Sequence, residues 1–253
     1  MNEDHRGTIL YLHGGGWANG DVEFYSDACM RTALKLERRV IAVDYRRSPE
    51  HRFPTALEDC YAVARQLFAG TLIRDADPER IVLMGDSAGG NLTAAVSLLA
   101  RERGDFRPRT QILLYPLVYN DHSETTLFDS CAITARTTFS PARPSSTTSN
   151  CTAHARRFPR STSRRPSRRR WPTCLHRHHL STTLCATSEA SLRGLDAENE
   201  VACFRMNDGV HGYFLYFSEA SLVRDTYCLS RTSDGDPLPK PGDRPWLTLL
   251  GTD

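Results

Sequence analysis

The segment Gly85-Asp86-Ser87-Ala88-Gly89-Gly90 constrains this chain most, because it joins two elements that leave room only for a tight turn. Arg80-Ile81-Val82-Leu83-Met84 reads as a short buried strand leading in, and Asn91 to Arg103 reads as a helix leading out. A serine on so sharp a strand-to-helix turn has its Oγ held out at the top of a sheet. The glycines on either side keep side chains away from the turn and from anything bound there. The bland alternative is a glycine-rich strand-helix connection without chemistry, and the short pattern alone does not decide between them.

A second motif upstream argues for chemistry. Thr8-Ile9-Leu10-Tyr11-Leu12 reads as an inner strand running straight into His13-Gly14-Gly15-Gly16-Trp17. Consecutive glycines let backbone N–H groups face a ligand. Acyl transfer needs such donors for the oxyanion of its tetrahedral intermediate, and loss of one costs about a hundredfold or more in rate. Gly15 and Gly16, with the N–H of Ala88 just after Ser87, are the candidate donors. A flexible surface loop is the competing reading, and the apolar strand before the motif and the Trp after it argue against that.

With both motifs in place the chain resembles the hormone-sensitive-lipase-like family of α/β-hydrolases, which includes bacterial acetyl esterases and carboxylesterases. The resemblance runs from residue 7 to about 130, through Asp44-Tyr45-Arg46 and Ser48-Pro49-Glu50-His51-Arg52-Phe53-Pro54, and resumes near Glu189. There Val201 to Met206 reads as a strand, and Asp208-Gly209-Val210-His211-Gly212-Tyr213-Phe214 resembles the loop carrying the family's catalytic histidine, a role carried here to His211. The resemblance implies an α/β-hydrolase fold, a mostly parallel sheet with helices on both faces. It also implies hydrolysis of short acyl esters with Ser87 as nucleophile and His211 as base, needing no cofactor and no metal.

The third member of such a site is an Asp, which this family keeps in an Asp-Pro-Leu type motif well before the histidine. Counting back from His211 lands near Ser181-Thr182-Thr183-Leu184, and residues 130 to 188 contain no Asp, Glu or Lys. The genetic code supplies a reason. When the third base of each codon is read with the first two bases of the next, Ser181 to Ser188 permits Asp-Pro-Leu-Cys-Asp-Glu. In the same shifted frame Arg170 to His176 permits Met-Ala-Asp-Leu-Pro-Pro, and Arg136 to Pro141 permits Tyr-Tyr-Phe-Leu-Thr, both family-like runs. The expectation is a frameshift that opens between Asp129 and Thr137 and closes at about Ser188.

Charge divides the chain in the same way. The whole chain is formally +2, but residues 130 to 188 hold eleven Arg without an acid, which leaves the remainder at about −9. A run such as Arg164-Arg165-Pro166-Ser167-Arg168-Arg169-Arg170 otherwise suggests a solvated tail or a nucleic-acid patch, yet no binding module surrounds it. His176-Arg177-His178-His179 lacks a second ligand group at metal spacing. Eight cysteines are scattered without a C-x-x-C pair, no apolar run is long enough to cross a membrane, and the polar start is unlike a signal peptide. The expected setting is the cytoplasm and the expected partner a small-molecule ester, with no nucleic acid and no membrane.

The order of elements reads as strand 8–12, helix 25–38, strand 39–45, helix 54–69, strand 80–85, helix 88–103 and strand 111–115. That alternation argues for a parallel α/β sheet in a single domain spanning residues 1–253. Relative to the family the chain is expected to lack the N-terminal cap and first strands. Residues 130–188 are expected to be disordered or out of frame, leaving a sheet edge exposed, and residues 227–253 read as an atypical tail broken by Ser233 to Pro237 and by Pro241-Gly242. Two other readings stay open: a ligand-binding protein that keeps the fold without catalysis, as plant hormone receptors resembling this family do, and a decayed gene whose product does not fold.

Overall fold

The computed structural model describes residues 6–117, 173–179, 201–206, 211–217, 221–231 and 247–250. Seven strands form one sheet: β1 (Thr8–Leu12), β2 (Arg39–Val43), β3 (Ile81–Asp86), β4 (Thr110–Leu114), β5 (Thr173–His179), β6 (Val201–Met206) and β7 (Leu247–Leu250). They lie in the order β2-β1-β3-β4-β5-β6-β7. All neighbours are parallel except β6 and β7. The helices are α1 (Ser26–Leu36), α2 (Thr55–Phe68), α3 (Ala88–Arg103), the single turn α4 (Tyr213–Tyr216) and α5 (Ser221–Ser230).

The pleat explains why Ile9 to Leu12 of β1 and Ile81 to Met84 of β3 form unbroken apolar runs. Successive side chains point to opposite faces, and both faces are covered. Leu10 and Leu12 of β1, with Ile81 and Leu83 of β3, meet Leu57, Cys60, Tyr61, Ala64 and Leu67 of α2 and Leu92, Ala95 and Val96 of α3. The alternate residues Ile9, Tyr11, Val82 and Met84 share a second core with Ala28 and Leu36 of α1 and Val223, Tyr227 and Leu229 of α5. In α1 the buried set Ala28, Thr32 and Leu36 recurs every fourth residue, which is one helical face. The parallel sheet with helices on both faces is therefore present as the sequence implied.

Two expectations need correction. The region read as an atypical tail from residue 227 begins inside α5, where Tyr227 and Leu229 are buried. The Tyr227 hydroxyl lies 3.4 Å from Thr32 Oγ1, and the Arg231 guanidinium donates to the Lys35 carbonyl, so α5 is tied to α1. The breakers noticed in the sequence all fall after this helix. The exposed edge expected beside β4 is also not found, because the backbone of Thr173–His179 fills the slot between β4 and β6. A ladder of backbone hydrogen bonds makes little demand on side-chain identity, so a segment of unsuitable composition can still occupy it. The rest of 130–188, with Ser181 to Leu184, lies outside the described residues.

Candidate active site

The chain passes from β1 through α1 to β2 on one side and then returns through α2 to β3 on the other side of β1. Such a reversal opens a crevice at the carboxyl ends of the two central strands, where ligands of open α/β sheets bind. Both motifs arrive there together, since β1 and β3 pair in register with Leu12 opposite Gly85. His13 then follows β1 as Ser87 follows β3.

Ser87 occupies the turn between β3 and α3 with φ 53° and ψ −117°, a conformation that L-residues rarely adopt. It is held there by three backbone bonds. Its N–H donates to the Leu114 carbonyl at 2.9 Å, and its own carbonyl accepts from the N–H groups of Asn91 and Leu117 at 3.1 and 3.2 Å. Close packing explains the glycine at position 89, where an added Cβ would lie 1.9 Å from the Leu12 carbonyl oxygen. Helix α3 thus starts directly against the end of β1, and no larger residue fits between them.

The glycine loop after β1 is braced from several directions. The buried His13 ring stacks on Tyr45 with centroids 4.2 Å apart and planes 12° apart. Its Nδ1 lies 2.7 Å from the Gly14 carbonyl, and the Tyr45 hydroxyl donates to the His13 carbonyl at 2.8 Å. Burial lowers the His13 pKa, so the ring is neutral at pH 7. Beyond it Gly15 and Gly16 have φ of +112° and +64°, and their N–H groups donate to no acceptor among the described residues. The N–H of Ala88, in the first turn of α3, has no intrahelical acceptor either.

His211 comes from the loop between β6 and α4. Its Nε2 lies 2.8 Å from Ser87 Oγ, a contact that spans 124 residues of sequence. The ring meets Tyr115 edge-on at 4.9 Å between centroids. The residue as a whole keeps an exposed surface, but its imidazole is crowded by protein, and this desolvation lowers its pKa to about 4. A carboxylate at Nδ1 would act in the opposite direction. Among the described residues none contacts His211. The imidazole is therefore neutral at pH 7 and able to accept a proton, but no described residue offers an anionic partner for the charged form. Asp208 lies outside the described residues, as do Asp196 and Glu198.

The sequence reading missed Asp86, which lies at the centre of this region. Its side chain is buried, with Oδ1 accepting from the Tyr11 hydroxyl at 3.0 Å and from the Gly14 N–H at 2.9 Å. Oδ2 accepts from the Tyr25 hydroxyl at 3.1 Å and, at the long limit of 3.5 Å, from that of Tyr115. Burial raises its pKa to about 6 despite these donors. The signal available in the sequence was an acid at the end of a strand whose other residues are apolar, a placement seldom tolerated without partners. No group of three or more metal-ligating side chains gathers among the described residues, and no described helix is long and apolar enough to cross a membrane.

Comparison with known proteins agrees with this architecture. A family profile described as alpha/beta hydrolase fold matches residues 9–215. An arylesterase of Saccharolobus solfataricus is 40% identical over 123 residues, covering 48% of this chain and 39% of that protein. A carboxylesterase of Mycobacterium tuberculosis is 36% identical over 120 residues, covering 47% and 38%. The match thus spans about two fifths of the length of these curated relatives. Among solved structures, an esterase of Pyrobaculum calidifontis superposes with a TM-score of 0.71 at 26% identity, covering 91% of this chain and 77% of that one.

Proposed function

The chain belongs to the alpha/beta hydrolase fold family, and on that premise we propose that it is a serine carboxylic-ester hydrolase acting on small acyl esters. The observation that carries this reading is the 2.8 Å contact between Ser87 Oγ and His211 Nε2. The similarity to carboxylesterases and arylesterases supports it. Ser87 Oγ attacks the ester carbonyl while His211 Nε2 takes its proton. The N–H groups of Gly15, Gly16 and Ala88 hold the oxyanion. His211 returns the proton to the departing alcohol, and water, activated by the same imidazole, releases the acid from Ser87. No metal or cofactor takes part in these steps.

The weak point of the reaction is the charged imidazole. An unsupported histidine in such a site turns over about 10⁴-fold more slowly than one held by a carboxylate. The chain as translated is then a slow esterase. The test is hydrolysis of p-nitrophenyl acetate by the purified chain and by Ser87→Ala. A rate above the solvent background that disappears in the variant supports the reading, and equal rates refute it.

The lack of a described carboxylate beside His211 favours one other reading, a protein that holds a ligand in the crevice without transforming it. A small ester that raises the melting temperature and is recovered intact would support that alternative.

A further inference from the structure

We propose that Asp86 is a positioning residue that clamps the glycine loop to the nucleophile turn, so that one buried carboxylate sets the distance between the oxyanion donors and Ser87 Oγ. The inference rests on the esterase reading for its catalytic consequence, but the clamp itself does not. Asp86 directly precedes Ser87, and the group it binds, the Gly14 N–H at 2.9 Å, directly precedes Gly15 and Gly16. No other described side-chain hydrogen bond joins the two motifs.

The packing is close enough for the clamp to be rigid. A Cβ built on Gly14 would lie 2.5 Å from Asp86 Oδ2 and 2.8 Å from the Tyr25 hydroxyl, so the loop backbone rests on the carboxylate and its tyrosine partner. The donors come from separate elements: Tyr11 from β1, Tyr25 from the turn before α1, Tyr115 from the end of β4. Every described partner of the carboxylate donates, and none supplies a cation. This set is matched to an ionised acceptor, because a carboxylate has about four lone-pair sites and a protonated carboxyl has fewer. An uncharged Asp86 carries an O–H of its own, so that a tyrosine hydroxyl must turn round to accept it, and the Gly14 N–H, which can only donate, competes for the acceptor sites that remain.

The groups that face Asp86 also decide its pH response. Tyr11, Tyr25 and Tyr115, all neutral because burial and the nearby carboxylate raise their pKa values, surround it, with the Cys29 thiol of α1 beyond them. Desolvation raises the carboxyl to about 6, and the Tyr11 and Tyr25 hydrogen bonds oppose that rise. Removing one of these hydroxyls weakens the charged form and moves the carboxyl titration to higher pH.

The test uses the full chain labelled with ¹⁵N-glycine and carbonyl-¹³C-histidine, which marks the amides of Gly14 and Gly212 alone, and His211→Gln removes the second. Three forms are compared: wild type, Asp86→Asn and Tyr25→Phe. In wild type the Gly14 amide shift is expected to follow a single titration near pH 6. Tyr25→Phe moves that midpoint upward, and Asp86→Asn abolishes it. In parallel, a fluorophosphonate labels Ser87 about 10²-fold more slowly in Asp86→Asn than in wild type at pH 8, the cost expected when donors are displaced by about 1 Å. The clamp is overturned if the Gly14 shift ignores both substitutions, or if Asp86→Asn reacts at the wild-type rate. Should Asp86→Asn lack a cooperative melt, the Tyr25→Phe midpoint decides. A wild-type Ser87 that is inert to the reagent sinks the esterase reading, while the amide titration still decides the clamp.

Discussion

Replacing Gly89 with alanine places a methyl group between the start of α3 and the end of β1. The added Cβ would lie 1.9 Å from the Leu12 carbonyl oxygen and 2.5 Å from that of His13, where contacts below 3.0 Å are not tolerated. Both obstacles are backbone, and Leu12 is held in the sheet between Val43 and Gly85. No side chain can swing aside, so helix and strand end must separate by about 1 Å. Overpacking of a core costs about 1–3 kcal/mol, and the upper end applies where only backbone can move. About 3 kcal/mol lowers the melting temperature of a chain this size by roughly 6–12 °C. The same displacement shifts Ser87 relative to Gly15 and Gly16, and a 1 Å error in such a site costs about 10²-fold in rate. Thermal melting by circular dichroism and the rate of fluorophosphonate labelling measure the two effects. Gly104→Ala at the far end of α3 is the control, because its Cβ meets open space and only its φ of +72° resists substitution, at about 1–2 kcal/mol. A Gly89→Ala protein that melts and reacts like wild type would mean that α3 does not start against the end of β1.

Leu229→Ala in α5 removes a side chain that is 1% exposed and is expected to destabilise by about 2–5 kcal/mol, seen as a lowered urea midpoint; an unchanged midpoint would mean that α5 does not pack as described. His211 is neutral in the folded chain down to about pH 4, against 6.5 for a free imidazole, so the unfolded chain binds more protons across that window and wild type loses stability as pH falls through it. Asp86 acts oppositely: its folded value of about 6 exceeds the free value of 3.8, and this contribution favours the fold increasingly as pH drops from 6. In His211→Gln only the second contribution survives, so its melting temperature relative to wild type should rise between pH 6.5 and 4, and a constant difference would contradict the assignment. Sequencing the source DNA across codons 125 to 195 is expected to yield a frame reading Asp-Pro-Leu-Cys-Asp-Glu, and the corrected protein should turn over about 10⁴-fold faster; confirmation of the present frame would remove that expectation.

Where apolar pattern and turn chemistry agree, the elements were legible. Strands β1 and β3, buried along their whole length, and the helix that follows Ser87 stand within a residue or two of their expected bounds. Helix α5 was overlooked because the buried apolar residues described in it are few, Val223, Tyr227 and Leu229, and the breakers from Ser233 onward drew the boundary too early. Strand β5 could not be read from its residues, since backbone pairing with two neighbours places it. Ser87 and His211 could be paired because each sits in a short glycine-flanked motif. Asp86 sits in the same motif and passed unnoticed, for its importance comes from Tyr11, Tyr25 and Tyr115, which converge on it only after folding.

The central claim is that Ser87 and His211 form a nucleophile and base. The most direct measurement is mass spectrometry of the purified full-length chain after reaction with a fluorophosphonate, with the adduct located by peptide mapping. The account predicts a single adduct on Ser87, formed at least about 10²-fold more slowly in His211→Ala, because a serine without its base is a poor nucleophile. A cooperatively folded chain that takes no adduct, or one that reacts at the same rate without His211, would contradict it.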